Sequence, residues 1–259
     1  MGNMQGAASA GMQNPAPLLF FDERGMAVEN TCCAVVVAAG GSLRMGGNIS
    51  KQFLPLAGVP AIIHTLRAFD ASPSVLETIL VGREEDIFHM ERLLDKFHID
   101  KVKTVVPGGA SRQQSVAAGV RASRDVRYVA IHDGARALIT PEEIDLVIND
   151  AYAYGASTLG VPVKDTIKVA GSDRIVQSTP ERSMLWTIQT PQVFSKQLYL
   201  RALALAEKEH AEFTDDCQLV ERVGAKVHIC RGEYTNIKLT TKEDIPLAEL
   251  ILKEREATL

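Results

Sequence analysis

From Cys32 onward, short continuous apolar runs alternate with segments of helical spacing, and this alternation limits the fold more than any other feature of the chain. "CCAVVVA" is a continuous apolar run, as expected of a strand buried on both faces, and "ETILVG", "VKTVVP" and "VRYVAIH" read as strands. Between them, "PAIIHTLRAF" has helical spacing. "EEDIFHMERLLDKF" puts Ile87, Met90, Leu93, Leu94 and Phe97 on one helical face. "SRQQSVAAGVRAS" reads as a helix with Ser111 as its N-cap. "TPEEIDLVINDAYAYG" opens with Thr140 as N-cap, Pro141 in the first helical position and Glu143 three residues after the cap, which predicts a capping box. Repeated strand–helix units imply an α/β fold: a Rossmann-like, mostly parallel sheet flanked by helices.

The middle breaks this rhythm. Val161–Phe194 has alternating β-type segments around a turn at Gly171–Asp173. It reads as a hairpin that projects and returns to the core near Trp186. An exposed β arm needs a cover, and exchange of arms in a homodimer supplies one. The tail returns to α/β character: helices near Ser195–Glu209 and Asp215–Val223, a strand at Lys226–Cys230 and a last helix from Thr241. The expected organisation is a single domain over 31–255 with a β arm at about 161–190. Residues 1–30 read as a disordered extension, a tag remnant or an early start site, with Met26 as an alternative start.

The 259 residues carry 28 basic and 32 acidic side chains, a net charge of -4 with no basic block. This disfavours a nucleic-acid partner. No apolar run approaches the roughly 20 residues of a membrane span, and the start lacks the pattern of a secretory signal. The cysteines Cys32, Cys33, Cys217 and Cys230 form no C-x-x-C pair, so they read as small packing residues in a reducing cytoplasm.

Ligands of parallel sheets bind beyond the carboxyl ends of the strands. Three loops there carry chemistry: Gly40–Lys51, Gly108–Ser115 and Asp133–Arg136. In the first, small residues and glycines leave backbone N–H groups free to cradle phosphate oxygens, and Arg44 and Lys51 add full charges. That suits a triphosphate, whose transfer needs charge neutralisation more than a covalent nucleophile. A tight turn with solvated charges is the plainer reading of the same loop. No Walker motif is present, and the glycine spacing is poor for a dinucleotide site, which argues against a nicotinamide-dependent oxidoreductase.

"VVVAAGGSLRM…SKQFLPLAGVP" resembles the signature of the 2-C-methyl-D-erythritol 4-phosphate cytidylyltransferase family, approximately A-A-G-x-G-x-R-M and then P-K-Q. The resemblance continues in order through "PGGASRQQSV", "IHDGARALI", "VPVKDTIK", "TIQTPQVF", "TDDCQLVE" and "NIKLTTKEDI", from Cys32 to about Ile251. It implies an enzyme that joins CTP to methylerythritol phosphate with release of pyrophosphate, using Mg2+ or another divalent cation. It implies that Arg44, Lys51 and Lys238 act on the triphosphate. Ala38, Ala39 and Gly40 would line the nucleotide, Gly109 and Ser115 its base and ribose, with Arg112 orienting their loop. Asp133 would hold the metal, a metal-bound water or the ribose. Arg136, Thr166, Arg182 and Thr190 would grip the sugar phosphate, with Arg136 and Thr166 reaching across the dimer. Thr214 and Asp215 would contact substrate or cap the following helix, and His132 reads as a packing residue.

Three positions depart from the family pattern: Ser42 for the second glycine, Ser50 for the proline before Lys-Gln, and Ala137 for the proline after Arg136. None removes a charge, so activity is expected. The alternatives are a cytidylyltransferase for another polyol phosphate, such as ribitol 5-phosphate, and a non-catalytic nucleotide-binding regulatory protein.

Overall fold

The structure, a computed structural model, describes residues 20–21, 27–28, 31–40 and 50–258. Within 1–30 the described residues form one small antiparallel ladder, Phe20–Phe21 with Ala27–Val28. The rest of that expectation lies outside the described residues.

The predicted alternation is realised as β1 (Cys32–Val37), α1 (Ala61–Ala71), β2 (Val75–Gly82), α2 (Ile87–Phe97), β3 (Val102–Pro107), α3 (Arg112–Ala122), β4 (Tyr128–Asp133) and α4 (Pro141–Tyr154). The chain continues with β5 (Ala156–Pro162), the arm strands β6 (Val169–Ala170) and β7 (Val176–Ser178), β8 (Trp186–Ser195), α5 (Lys196–Glu209), α6 (Asp216–Glu221), β9 (His228–Arg231) and α7 (Asp244–Thr258). Seven strands make the central sheet, in the order β9-β5-β8-β4-β1-β2-β3. Strands β3, β2, β1 and β4 run parallel, β8 runs antiparallel to both β4 and β5, and β9 is parallel to β5.

Strand β1 shows why the sheet is covered on both sides. Cys32, Ala34 and Val36 pack with Ile62, Leu66 and Phe69 of α1, Met90 and Leu93 of α2, and Ile144, Val147 and Ile148 of α4. Cys33 and Val35 face Val116 and Val120 of α3, Tyr199 and Leu203 of α5, and Leu219 of α6. Each fully buried Val, Leu, Ile, Phe or Met side chain among these contributes about 1.5–3 kcal/mol. All four cysteines are buried and free, and burial pushes their thiols up, as packing residues require.

The predicted caps form. Ser111 Oγ accepts from Gln114 N at 3.3 Å, and Thr140 and Glu143 make the reciprocal capping box. Helix α4 ends at Gly155, whose φ of 82° is open to glycine without strain. Asp215 caps α6, accepting from Gln218 N at 3.1 Å, as one of its two sequence readings proposed.

The arm is shorter than its sequence range. Strand β5 was not foreseen: it follows α4 directly, and its last residues, Val161 and Pro162, belong to the sheet beside Thr187 and Trp186. The projecting part is therefore 163–185. Its turn is closed by Gly171 N to Ile175 O at 3.2 Å and Arg174 N to Gly171 O at 3.0 Å.

Candidate active site

The parallel strands end along one edge of the sheet. Val37 of β1 lies beside Val81 of β2 and Asp133 of β4, and Gly82 lies beside Pro107 of β3. The loops singled out by sequence therefore leave the sheet side by side. Close packing dictates the small residues here. A Cβ on Gly108 would come within 2.5 Å of Ala39 Cβ and 2.7 Å of Ser115 Oγ. Ala38 is buried, Ala39 half-buried and Gly40 exposed, so the small-residue segment rises out of the sheet toward solvent.

The centre of the site is a knot of ions. Asp133 accepts from Lys238 Nζ on one carboxylate oxygen at 2.6 Å and from Arg112 Nε on the other at 3.3 Å. Arg112 also donates to Asp216 Oδ2 at 2.6 Å, and Tyr199 donates its hydroxyl to Asp216 Oδ1 at 2.9 Å. Burial alone would raise the Asp133 carboxyl. Arg112 and Lys238 outweigh it and hold the group at about 2, fully ionised. Burial pulls the Arg112 guanidinium down, but Asp216 and Asp133 raise it above its ordinary value. Asp216 is buried deeper, and there burial prevails over Arg112 and raises the carboxyl. The side chain of Asp133 is 13% exposed and that of Lys238 45%, so the lysine ammonium is the part of the knot that meets solvent.

Behind the knot runs a chain of neutral hydrogen bonds. His132 is fully buried; its Nε2 lies 3.3 Å from Arg136 O and its Nδ1 3.0 Å from Thr190 Oγ1. Thr190 Oγ1 also accepts from Asp133 N at 3.1 Å. One tautomer satisfies all three contacts: Nε2–H donates to the carbonyl, and Nδ1 accepts from the threonine hydroxyl. Burial lowers the imidazole to about 3, so it stays neutral. His132 is thus the packing residue expected. Thr190, expected at the sugar phosphate, has its hydroxyl turned inward to hold the backbone of Asp133.

The loop that carries Lys238 is stitched to the same edge. Asn236 is fully buried and donates to Thr190 O at 3.0 Å. Leu239 N donates to Ala135 O at 2.8 Å, Gln189 Nε2 to Glu233 O at 2.9 Å, and Glu233 N to Glu143 Oε1 at 3.0 Å. Arg136 is half-buried under this loop and donates to Asn236 O of its own chain at 2.7 Å. Burial lowers its guanidinium despite Asp133, and its buried Nε meets no hydrogen-bond partner among the described residues. Ala137, beside it, is buried with Leu138, Leu56 and Leu239.

The remaining candidates fall into distinct groups. Ser115 Oγ accepts from Gly109 N at 3.1 Å and donates to Ser111 O at 2.9 Å, so both residues shape the loop before α3. Thr166 is exposed on the arm and Thr214 is exposed before α6. At the base of the arm, Arg182 donates to Lys164 O at 3.0 Å. Lys164 Nζ sits 3.6 Å from the centre of the Tyr234 ring, and Tyr234 donates to Pro162 O at 2.8 Å. The base of the arm thus touches the Lys238 loop. Lys51 opens a short helical turn, Lys51–Phe53. Its side chain, Arg44 and Ser42 lie outside the described residues.

Sequence reasoning gave no role to Gln52, Asn236, Asp216 or Arg83. Gln52 is buried and donates to Ala38 O at 2.9 Å, tying the lysine turn to the end of β1. Gln52, Asn236 and Asp216 sit inside motifs that had been singled out, beside residues whose charge drew attention first.

Among the described residues no group of three or more His, Cys, Asp or Glu is arranged to hold a metal ion. Asp133 by itself suits a different mode. Mg2+ is commonly bound by one or two carboxylates together with substrate phosphates and water, and an ionised, mostly buried carboxylate at the carboxyl end of a parallel strand fits that donor set. Among the described residues no helix is long and apolar enough to cross a membrane.

Known proteins resemble this chain over most of its length. The family model for IspD, 2-C-methyl-D-erythritol 4-phosphate cytidylyltransferase, matches residues 32–254. The enzyme of that name from Caldanaerobacter subterraneus subsp. tengcongensis is 47% identical over 85% of this chain and 98% of its own. Its counterpart from Pelotomaculum thermopropionicum is 45% identical over 87% and 96%. The crystal structure of 4-diphosphocytidyl-2C-methyl-D-erythritol synthase from Anaerococcus prevotii is similar with a TM-score of 0.77, at 31% identity over 86% of this chain and 96% of that one. The enzyme from Thermus thermophilus gives a TM-score of 0.67 at 28% identity, over 85% and 98%. The chain belongs to the 2-C-methyl-D-erythritol 4-phosphate cytidylyltransferase family.

Proposed function

We propose that this chain transfers a cytidylyl group from CTP to 2-C-methyl-D-erythritol 4-phosphate and releases pyrophosphate. The observation that carries this reading is the Lys238–Asp133–Arg112 knot at the carboxyl ends of β1, β3 and β4, in a chain of that family. An oxygen of the sugar phosphate forms a bond to the α-phosphorus of CTP, and the bond from that phosphorus to the β-phosphate oxygen breaks. The acceptor is already an anion, so no serine or cysteine nucleophile is required. The demand on the protein is to bring two anions together in line and to neutralise the charge that develops.

Lys238 acts on the α-phosphate, and its support is its exposed ammonium beside Asp133. Arg44 and Lys51 act on the triphosphate, Ala38–Gly40 and the Gly109–Ser115 loop line the nucleotide, and Arg136, Thr166 and Arg182 receive the sugar phosphate. A divalent cation held by Asp133 and the phosphates would supply further charge neutralisation. The enzyme works as a homodimer in the cytoplasm. Support for the dimer is the arm, which leaves Ile167, Val169, Ile175, Val176 and Met184 exposed along one projecting hairpin.

The test is pyrophosphate release from CTP and Mg2+ by the purified protein, with 2-C-methyl-D-erythritol 4-phosphate and, separately, ribitol 5-phosphate. Turnover with the first acceptor is expected. Turnover with ribitol 5-phosphate alone would overturn the acceptor, and no turnover with either would overturn the reaction.

A further inference from the structure

Lys51 is bracketed by two residues whose side chains are anchored to different strands. On its far side, Gln52 reaches the end of β1 through Ala38 O at 2.9 Å. On its near side, Ser50 Oγ accepts from Arg83 Nη2 at 2.6 Å. Arg83 is the first residue after β2. It therefore stands on the same sheet edge as Ala38, 33 positions from Ser50 in sequence. Phe53 N donates to Ser50 O at 2.9 Å and closes the turn between the two anchors. A third support comes from α2, where His89 meets the Phe53 ring edge-on with centres 4.8 Å apart.

The other contacts of Arg83 are local. It pairs with Asp86 at 2.7 Å and with the exposed Glu85 at 3.0 Å, both within three residues. Those pairs hold the guanidinium in place at the start of α2. The bond to Ser50 is the one that leaves this neighbourhood and reaches the lysine turn. Without it, Ser50 keeps its link to Phe53 but loses its tie to β2, and the turn is fastened to the sheet through Gln52 alone among these contacts.

We propose that Arg83 is a positioning residue for the known reaction of the family: acting through Ser50, it fixes the turn that presents Lys51 to the triphosphate. The proposal rests on the reading of Lys51 given above. A displaced lysine costs rate more than ground-state binding, because its charge is needed most as pyrophosphate departs. Misplacement by a fraction of an ångström to an ångström is enough to lower turnover by about tenfold to 100-fold.

The experiment compares wild type, Arg83→Gln, Ser50→Ala, the double variant and Arg83→Lys in pyrophosphate release, with Lys51→Ala alongside. The two single variants are expected to lose about tenfold in kcat while KM for CTP changes little. The double variant should be no slower than either single one, because both remove the same hydrogen bond, and Arg83→Lys should restore part of the rate. Wild-type kcat in Arg83→Gln, or losses that multiply in the double variant, would overturn the proposal while leaving the role of Lys51 intact. Should Arg83→Gln fail to fold, Ser50→Ala decides alone, since it removes only a half-buried hydroxyl: unchanged kcat overturns the proposal. If the wild type releases no pyrophosphate, or Lys51→Ala keeps full activity, the reading of the lysine falls and this inference with it.

Discussion

The edge around Asp133 and the arm at 163–185 are built on opposite terms. At the edge, charged and polar groups from five separate stretches of chain satisfy one another: Arg112, Asp133, Thr190, Asp216 and Lys238 are linked by hydrogen bonds of 2.6–3.3 Å. On the arm, paired strands of two and three residues hold a hairpin whose larger apolar side chains face solvent. The first region is held together by contacts within one chain, and the second leaves its larger apolar side chains uncovered. A site held in this way stays organised before substrate arrives. A region that leaves apolar side chains uncovered is where the proposed partner copy would dock.

The sharpest break in this contrast is Asp133→Asn. It leaves Arg112 and Lys238 facing a neutral amide whose NH2 group is a donor in a place that needs an acceptor. Breaking a mostly buried pair costs about 3 kcal/mol or more, and loss of the anchored lysine should lower kcat by at least about 100-fold. Urea unfolding and pyrophosphate release measure the two effects. A variant with wild-type stability would show that the knot is not held together by charge.

Protonation is the next test of the edge. His132 is lowered from about 6.5 to about 3 by burial. The unfolded chain therefore takes up a proton that the folded chain refuses. The stability tied to this group is fully present above about pH 6.5 and is lost as pH falls toward 3, on the order of 5 kcal/mol in total. Asp133, depressed from 3.8 to about 2, adds a second loss on the order of 2 kcal/mol below about pH 4. Equilibrium unfolding between pH 7 and pH 4 should show stability falling with a slope of about one proton. His132→Gln should flatten that slope, and an unflattened slope would move the acid sensitivity elsewhere.

The edge and the arm also differ in how far sequence revealed them. Apolar runs marked β1, β2 and β4, whose residues are almost all buried, while β3 was legible from its valines although half of it is exposed. The capping box at Thr140 was legible because it is local. Strand β5 was missed because "ASTLGVP" sets Leu159 and Val161 among small and polar residues and shows no continuous apolar run. Its burial comes from packing between β8 and β9, where a Cβ on Gly160 would lie 3.0 Å from Ile229 and 3.4 Å from Ile188. The same holds at the site. The charges of Asp133 and Lys238 were visible in sequence, and resemblance gave them roles. The bond from Arg112 to Asp216, across 104 positions, and the bond from Arg83 to Ser50 are products of the fold, and no local pattern encodes them.

The arm is tested by adding charge where apolar side chains are exposed. Ile175 is 65% and Met184 78% exposed, so replacing both with Asp should change the stability of the isolated chain by less than about 1 kcal/mol. If the arm is covered by a second copy, sedimentation should show the mass fall to that of one chain. Turnover should drop by about tenfold where residues of one arm complete the other's site. An unchanged dimer with unchanged turnover would place the interface elsewhere and leave the arm without a cover.

The smallest expected effect asks how far the edge extends. Thr140→Ala removes the cap that accepts from Glu143 N at 3.2 Å and should cost about 1 kcal/mol. In a domain of this size that is a fall of about 2–4 °C in Tm. Glu143 is shared between the cap and the loop that carries Lys238, because its Oε1 accepts from Glu233 N at 3.0 Å while its Oε2 lies 3.4 Å from Thr140 N. Loss of the threonine hydroxyl leaves both carboxylate contacts possible, so kcat should stay at the wild-type value while Tm falls. A fall in kcat together with Tm would mean that the start of α4 is part of what holds Lys238 in place. The linked region would then reach from Asp133 through Glu233 and Glu143 to the first turn of α4, well beyond the ionic knot itself.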